Sequence, residues 1–224
     1  MTGSESDRKA WLKGEISPED LDRLMADNGQ AEANAHHVQE FFRKYPLPQG
    51  SCLLVHGCGT CQMFDYLEPA DLGDVKVTFA DIGTGMLETA RRRLKRFDDF
   101  SCEIIVDDIE NTVVTESYDA VLLSMVLLHV DWKKCLVNVS NLNPARIYII
   151  EQQQKQGTPV AGAKNRVLPP SIQKYAETAS IHLVPRPDLE QFLADLGYGL
   201  AYVSETPVPD EKLMVGFVFV KKGQ

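Results

Sequence analysis

No stretch of the chain approaches the roughly 20 consecutive apolar residues that a membrane-spanning helix needs. The longest greasy run, Ala120 to Val130, is interrupted by Ser124 and His129. The N-terminal MTGSESDRKA is polar and lacks the apolar core of a secretory signal. A cytoplasmic protein with no membrane partner is therefore expected. Positive charge is also in short supply, with 23 Lys and Arg against 32 Asp and Glu and a formal net charge of −9. Nucleic-acid binding relies on basic surface to neutralise phosphates. The acidic balance predicts a surface without a basic patch, and no nucleic-acid partner. Five cysteines in 224 residues are too few, and odd in number, for a disulfide scaffold. No internal repeat is present, which sets aside solenoid architectures.

What the chain does have is alternation. Short runs rich in Val, Ile and Leu occur at Cys52 to His56, Val75 to Ala80, Cys102 to Val106, Tyr118 to Ser124 and Arg146 to Ile150. Helical patterns separate them at Cys61 to Leu67, Gly85 to Phe97 and Trp132 to Leu142. Such runs suit parallel strands covered on both faces, and the alternation predicts a doubly wound α/β domain. Ahead of it, residues 1 to 10 read as a disordered tail. Ser17-Pro18-Glu19-Asp20 starts a helix, and a second helix is expected from about Ala31 to Tyr45, stopped by Pro46 and Pro48. The expected organisation is a tail and helical cap over 1–45 and a main domain over 46–224. A lid insertion is expected at about 152–185, where Gly157, Pro159, Gly162, Pro169 and Pro170 cluster. After a helix at Pro187 to Leu196, two runs joined by Pro207-Val208-Pro209-Asp210 predict a β-hairpin at the sheet edge.

The stretch SCLLVHGCGTCQMF, residues 51–64, combines three motifs. Cys58-x-x-Cys61 could be half a zinc site, but no second pair accompanies it and no metal is expected. It could be a redox dithiol at a helix start, although such domains are smaller and have a different strand pattern. Gly57-x-Gly59 could be a nucleotide loop. That reading demands an acid ending the second strand roughly 20 residues on, to accept ribose hydroxyls. Val75 to Ala80 is followed at once by Asp81, which favours the nucleotide loop.

At this point the chain resembles the class I S-adenosylmethionine-dependent methyltransferases, over about residues 30 to 222. LLVHGCGTC is similar to the family's glycine loop, and VTFADIGTGMLETARRRL to its second-strand motif. CEIIVDDIENTVVTESYDAVLLSMVLLHV looks like the third and fourth strands, and LNPARIYIIEQ like the approach to the fifth. The resemblance implies a seven-stranded Rossmann-like sheet, mostly parallel, with an antiparallel last strand. It implies S-adenosylmethionine as cofactor and S-adenosylhomocysteine as product. Gly57, Cys58 and Gly59 would meet the methionine part. Asp81 would hold the ribose with Ile82 against the adenine. Asp108 and Ile109 would meet the adenine amino group and ring, and Ser124 and Met125 would line the methionine end. Three positions depart from the family's pattern. Val55 stands where an acid is usual, Cys61 where the third loop residue is usually Gly, and Pro144-Ala145-Arg146 replaces a Pro-Gly-Gly-like turn.

Methyl transfer is an in-line displacement that depends on alignment, with a base where the acceptor is a hydroxyl. His129 is the first choice for that base and Glu151 the second. Tyr175 and His182 are expected to contact substrate. The expected acceptor is a small organic molecule, plausibly in specialised metabolism, and the protein a monomer or homodimer. A cyclase using the same cofactor site and a non-catalytic binding subunit are the alternatives.

Overall fold

A computed structural model describes residues 5–97, 102–154, 167–179 and 181–223. Seven strands form one sheet: β1 (Cys52–His56), β2 (Lys76–Asp81), β3 (Cys102–Val106), β4 (Ala120–Ser124), β5 (Arg146–Gln154), β6 (Tyr198–Val208) and β7 (Lys212–Lys221). Their order is β3-β2-β1-β4-β5-β7-β6. The first five pair in parallel, while β7 runs antiparallel to both β5 and β6. This is the sheet that the family resemblance implied. Among the described residues, eight α-helices accompany it: α1 (Glu5–Leu12), α2 (Pro18–Asp27), α3 (Gln30–Lys44), α4 (Pro69–Leu72), α5 (Thr84–Leu94), α6 (Trp132–Asn141), α7 (Pro170–Ala176) and α8 (Arg186–Asp195).

The central strands are apolar because both their faces are covered. Leu53 and Val55 face one core with Phe41, Phe79, Tyr148 and Ile150, while Leu54, Val121, Ile147 and Ile149 face another with Leu136 and Phe217. Successive strand residues point to opposite faces, which assigns each side chain beyond the strand ends to one of the two sides. α3 lies close against β7, where a Cβ at Gly216 would come within 2.7 Å of His37 Nδ1 and of Phe41. His37 is fully buried; its Nδ1 accepts from Ser204 Oγ at 2.7 Å and its Nε2 donates to the Met214 carbonyl at 3.1 Å. α3 thus belongs to the main core, although the sequence reading grouped it with the cap.

Local sequence fixes several boundaries. Ser17 caps α2 by accepting from Asp20 N, and Asp131 caps α6 by accepting from Lys134 N, both at 3.3 Å. The expected helix at Cys61 is shorter: a single 3-10 turn over Gln62–Tyr66, preceded by Cys61 in the left-handed region at φ 56°. Left-handed backbone disfavours a residue with a Cβ, and this gives the family's usual glycine at position 61 a physical reason. The hairpin turn falls at Pro209 to Glu211, because β6 continues through Pro207 and Val208.

Two expectations are overturned. Residues 5–12 are the helix α1, not a disordered tail; residues 1–4 lie outside the described residues. A basic run also exists, from Arg91 to Arg96, of which Arg93 and Arg96 are committed to internal ion pairs. Arg93 bonds Asp22 at 2.6 Å, Asp65 at 2.9 Å and the Thr60 carbonyl at 2.5 Å. Arg96 pairs with Asp65 and stacks over Phe97. No helix among the described residues is long and apolar enough to cross a membrane.

Candidate active site

One cleft runs over the C-terminal edge of β1 to β5. Of the expected cofactor residues, Gly57, Cys58, Gly59, Asp81, Ile82, Asp108, Ile109, Ser124 and Met125 all line it. Open α/β sheets bind ligands at this edge, where strand order reverses; here β1 sits between β2 and β4.

The glycine loop is held from below. Gly57 N and Cys58 N both donate to the Ala80 carbonyl, at 2.8 and 3.0 Å. Gly57 has φ 71°, and a Cβ there would fall 2.5 Å from Val126 Cγ2. Only glycine fits that contact. Asp81 is buried and bridges the loop to the next helix: Oδ2 accepts from Gly59 N and Oδ1 from Gly83 N, each at 2.8 Å. Burial pushes its carboxyl above the ordinary value against those backbone bonds. Each of its oxygens keeps a lone pair for a further donor.

Beside the loop, buried His56 donates from Nε2 to Asp107 Oδ2 at 2.7 Å. Thr112 Oγ1 and Val113 N complete the Asp107 carboxylate. Burial raises the Asp107 pKa, but these three donors together pull it below the ordinary value. The pair ties the segment after β3 to the end of β1, so Asp107 is not a solvated loop acid. Its neighbour Asp108 turns into the cleft. Asp108 Oδ2 accepts from Arg8 Nε at 2.7 Å and Asn111 Nδ2 at 2.8 Å, whereas Oδ1 accepts from Glu110 N alone at 3.1 Å. Burial raises its pKa, but Asn111 and Arg8 outweigh that and leave it ionised. An adenine amino group would thus share Asp108 with Arg8.

The roof consists of α1, α2 and the described part of the expected lid, residues 167–179 and 181–185; residues 155–166 and 180 lie outside the described residues. Ala10, Ile16, Met86, Ile172 and Tyr175 form a small core there, with Trp11, Leu21, Leu24 and Ile181 packed on it. Ser17 N donates to Ser171 Oγ at 3.0 Å, and Ser171 N donates to Asp20 Oδ2 at 2.8 Å. Asp22 ties α2 to the glycine loop through Thr60 Oγ1 and Arg93.

His129 lines the cleft beneath this roof. Its Nδ1 lies 3.1 Å from the Tyr175 hydroxyl, and the Trp11 ring stands edge-on to it at 5.3 Å. Burial lowers the imidazole pKa to about 4, and burial with Asp7 nearby raises that of the Tyr175 hydroxyl. Both groups are therefore neutral at neutral pH. Tyr175, expected to contact substrate, is 7% exposed and lines the cleft.

Two expected site residues are not in the cleft. His182 is exposed, and Ile181 lines the cleft instead. Glu151 lies on the opposite face of the sheet, because β5 extends past Ile150 and keeps alternating. There its Oε1 accepts from Leu127 N at 3.3 Å, its Oε2 has no partner, and burial pushes its pKa up to about 8. Gln152, on the other face, lines the cleft and accepts from Gln30 Nε2 at 2.7 Å. Arg8, Trp11, Asn34 and His56 are cleft residues that the sequence reading did not single out. Only His56, next to Gly57, carried a local signal.

The cysteine motif is not built for thiol chemistry. Cys58 is pushed well above the usual thiol value, first by burial and then by Cys61 and Asp81. A reactive dithiol needs the opposite shift. No cluster of potential metal ligands occurs among the described residues.

The donor set fits S-adenosylmethionine: a glycine cradle, carboxylates at Asp81 and Asp108 for hydroxyl and amino donors, and flat apolar walls at Ile82, Ile109 and Val126. The fold is the one seen in class I S-adenosylmethionine-dependent methyltransferases. Residues 53–142 match a family model described as a methyltransferase domain. A search of curated protein sequences finds no match. Among solved structures, the chain is similar to magnesium protoporphyrin IX methyltransferase from Synechocystis PCC 6803 with bound SAH. That pair shares 16% identity over 85% of this chain and 83% of the other, with a TM-score of 0.65. It is also similar to a geranyl diphosphate methyltransferase in complex with SAM, at 13% identity, 85% coverage of each chain and TM-score 0.62. The SpnF cyclase matches at 10% identity over 85% of this chain and 81% of its own, with TM-score 0.63. At these identities the likeness is one of fold.

Proposed function

We propose that the chain binds S-adenosylmethionine across Gly57, Gly59 and Asp81 and transfers its methyl group to a small organic acceptor beneath the roof. The observation that carries this reading is the continuity of one cleft. Its floor is the glycine loop and Asp81, and its ceiling is the apolar set Trp11, Leu21, Leu24, Ile172 and Ile181 against the polar pair His129 and Tyr175. The acceptor that suits this ceiling has an apolar body and one hydroxyl or amine.

When bound, the cofactor supplies a methyl group already activated on a sulfonium. The protein's part is to orient the acceptor and exclude water. Neutral His129 has two tautomers. With the proton on Nδ1 donated to the Tyr175 oxygen, Nε2 is open to take the acceptor's proton. With the proton on Nε2, the ring instead donates to the acceptor. The first arrangement makes His129 the base, and its lowered pKa makes it a weak one. It suits an acidic hydroxyl, such as a phenol, better than an alcohol. Tyr175 stays protonated and positions the ring. α1, α2 and residues 167–179 act as the substrate cover.

A cyclase reading draws support from the SpnF likeness, since the same cover could fold an apolar substrate without methyl transfer. The test is incubation with S-adenosylmethionine and a panel of phenols and aryl amines, read by mass. A gain of one methylene unit with matching S-adenosylhomocysteine is expected, reduced in His129→Ala. Product isomerised without any mass gain supports the cyclase. No product of either kind from a protein that binds S-adenosylhomocysteine contradicts both.

A further inference from the structure

Asn34 is 3% exposed, lines the cleft, and has an amide oxygen that meets no hydrogen-bond donor. Gln62 Oε1 is likewise buried and unpaired in the wall of the same cleft, although its amide nitrogen donates to the Asp22 carbonyl at 2.8 Å. Buried carbonyl oxygens without donors are costly, and a native protein that keeps them calls for an explanation. A ligand that brings N–H donors supplies one.

Position along the sheet says which donors. Asp108 and Asp81 follow β3 and β2, and receive the amino and hydroxyl groups of a nucleoside. Gln62 opens the 3-10 turn after the glycine loop, and that turn packs through Phe64 on Phe79 of β2. Asn34 lies one helical turn beyond Gln30, whose side chain reaches Gln152 on β5. The Asn34 oxygen therefore belongs to the end of the cleft away from the nucleoside. Val55 is relevant here. It is 1% exposed and faces the core that contains Ala33, Ala35 and Val38 of α3. A carboxylate at position 55 would point to the α3 side, and this chain has placed a hydrocarbon there.

We propose that Asn34 holds the ammonium group of the cofactor's amino-acid end through its neutral carbonyl dipole, replacing a carboxylate at position 55. The inference rests on the cofactor reading above and goes beyond it by assigning a residue to recognition of one cofactor group. A neutral acceptor donates no charge, so affinity for the ammonium is weaker than a carboxylate would give. In return, α3 and β1 pack without a buried acid.

The test is calorimetric titration with S-adenosylhomocysteine and with its analogue lacking the amino group. It uses the wild type, Asn34→Leu and Asn34→Asp, with melting curves to confirm folding. The wild type should prefer the amino-bearing ligand. Asn34→Leu should weaken that ligand about tenfold and leave the analogue unchanged, as expected for a lost hydrogen bond to a charged group. Asn34→Asp should strengthen it and widen the preference. A merely structural Asn34 would move both ligands together, and that result overturns the assignment, as does an unchanged preference in both variants. If Asn34→Leu fails to fold, the Asn34→Asp ratio alone decides. A wild type that binds neither ligand overturns the cofactor reading itself, and the assignment with it.

Discussion

The floor and the roof of the cleft are built differently. The floor stands on strand ends. Gly57, Asp81 and Ser124 each follow or end a strand whose residues lie in one of the two large cores, and backbone bonds to Ala80, Gly59 and Gly83 fix their geometry. The roof contributes four buried residues to a small core that Met86 of α5 completes. It is attached to the floor by side-chain links as well: Arg8 to Asp108, Asp22 to Thr60 and Arg93, and Gln62 to the Asp22 carbonyl. Segments held by few buried contacts open at lower free energy than the core beneath them. The comparison assigns cofactor geometry to the rigid part and acceptor entry to the part that opens.

Substitutions can break or sharpen that contrast. The largest effect is expected from Gly57→Ala, where left-handed backbone and the Val126 contact both oppose a Cβ. A stability loss on the order of 2–4 kcal/mol is expected in denaturant unfolding, with S-adenosylhomocysteine affinity reduced by at least about tenfold. Trp11→Ala should do the reverse. It should cost roughly 1–2 kcal/mol of stability for a half-buried ring and raise the acceptor KM about tenfold. Cofactor affinity, measured by calorimetry, should stay within about threefold.

A smaller effect tests the underside of the floor. Burial pushes the Glu151 carboxyl from its ordinary 4.5 up to about 8 in the folded state. Between those values the folded state holds a proton that the unfolded chain has released. Stability should therefore fall as pH rises through this window, on the order of 1 kcal/mol per unit. Glu151→Gln should flatten the slope in unfolding curves taken at pH 5 to 8, and an unchanged slope would contradict the buried carboxylic acid. The smallest effect is expected from Tyr175→Phe. Loss of one hydrogen bond to His129 should cost roughly 0.5–1.5 kcal/mol of transition-state stabilisation in kcat/KM, with unfolding nearly unchanged.

The floor was legible in the sequence because its signals are local. β1 and β3 have the boundaries read from apolar runs, and Asp81 ends β2 as its position after the glycine loop suggested. The roof was not legible, because its residues acquire meaning only through tertiary contacts. α1 is a polar eight-residue segment too short to signal a stable helix; Arg8 on Asp108 and Trp11 on His129 fix it in place. Glu151 was misplaced for a related reason. The strand was expected to stop at Ile150, whereas pairing with β7 carries β5 to Gln154. The alternation then sends Glu151 to the back and Gln152 to the cleft. Cys61 looked like half of a dithiol, and its left-handed backbone shows it as the residue standing in a glycine's place.

Calorimetric titration of S-adenosylhomocysteine into the wild type and Asp81→Ala tests the central claim most directly. Micromolar binding is expected in the wild type, weakened about tenfold to a hundredfold in the variant by loss of charged hydrogen bonds to the ribose. No heat at millimolar ligand, or equal affinity in the two proteins, would contradict it.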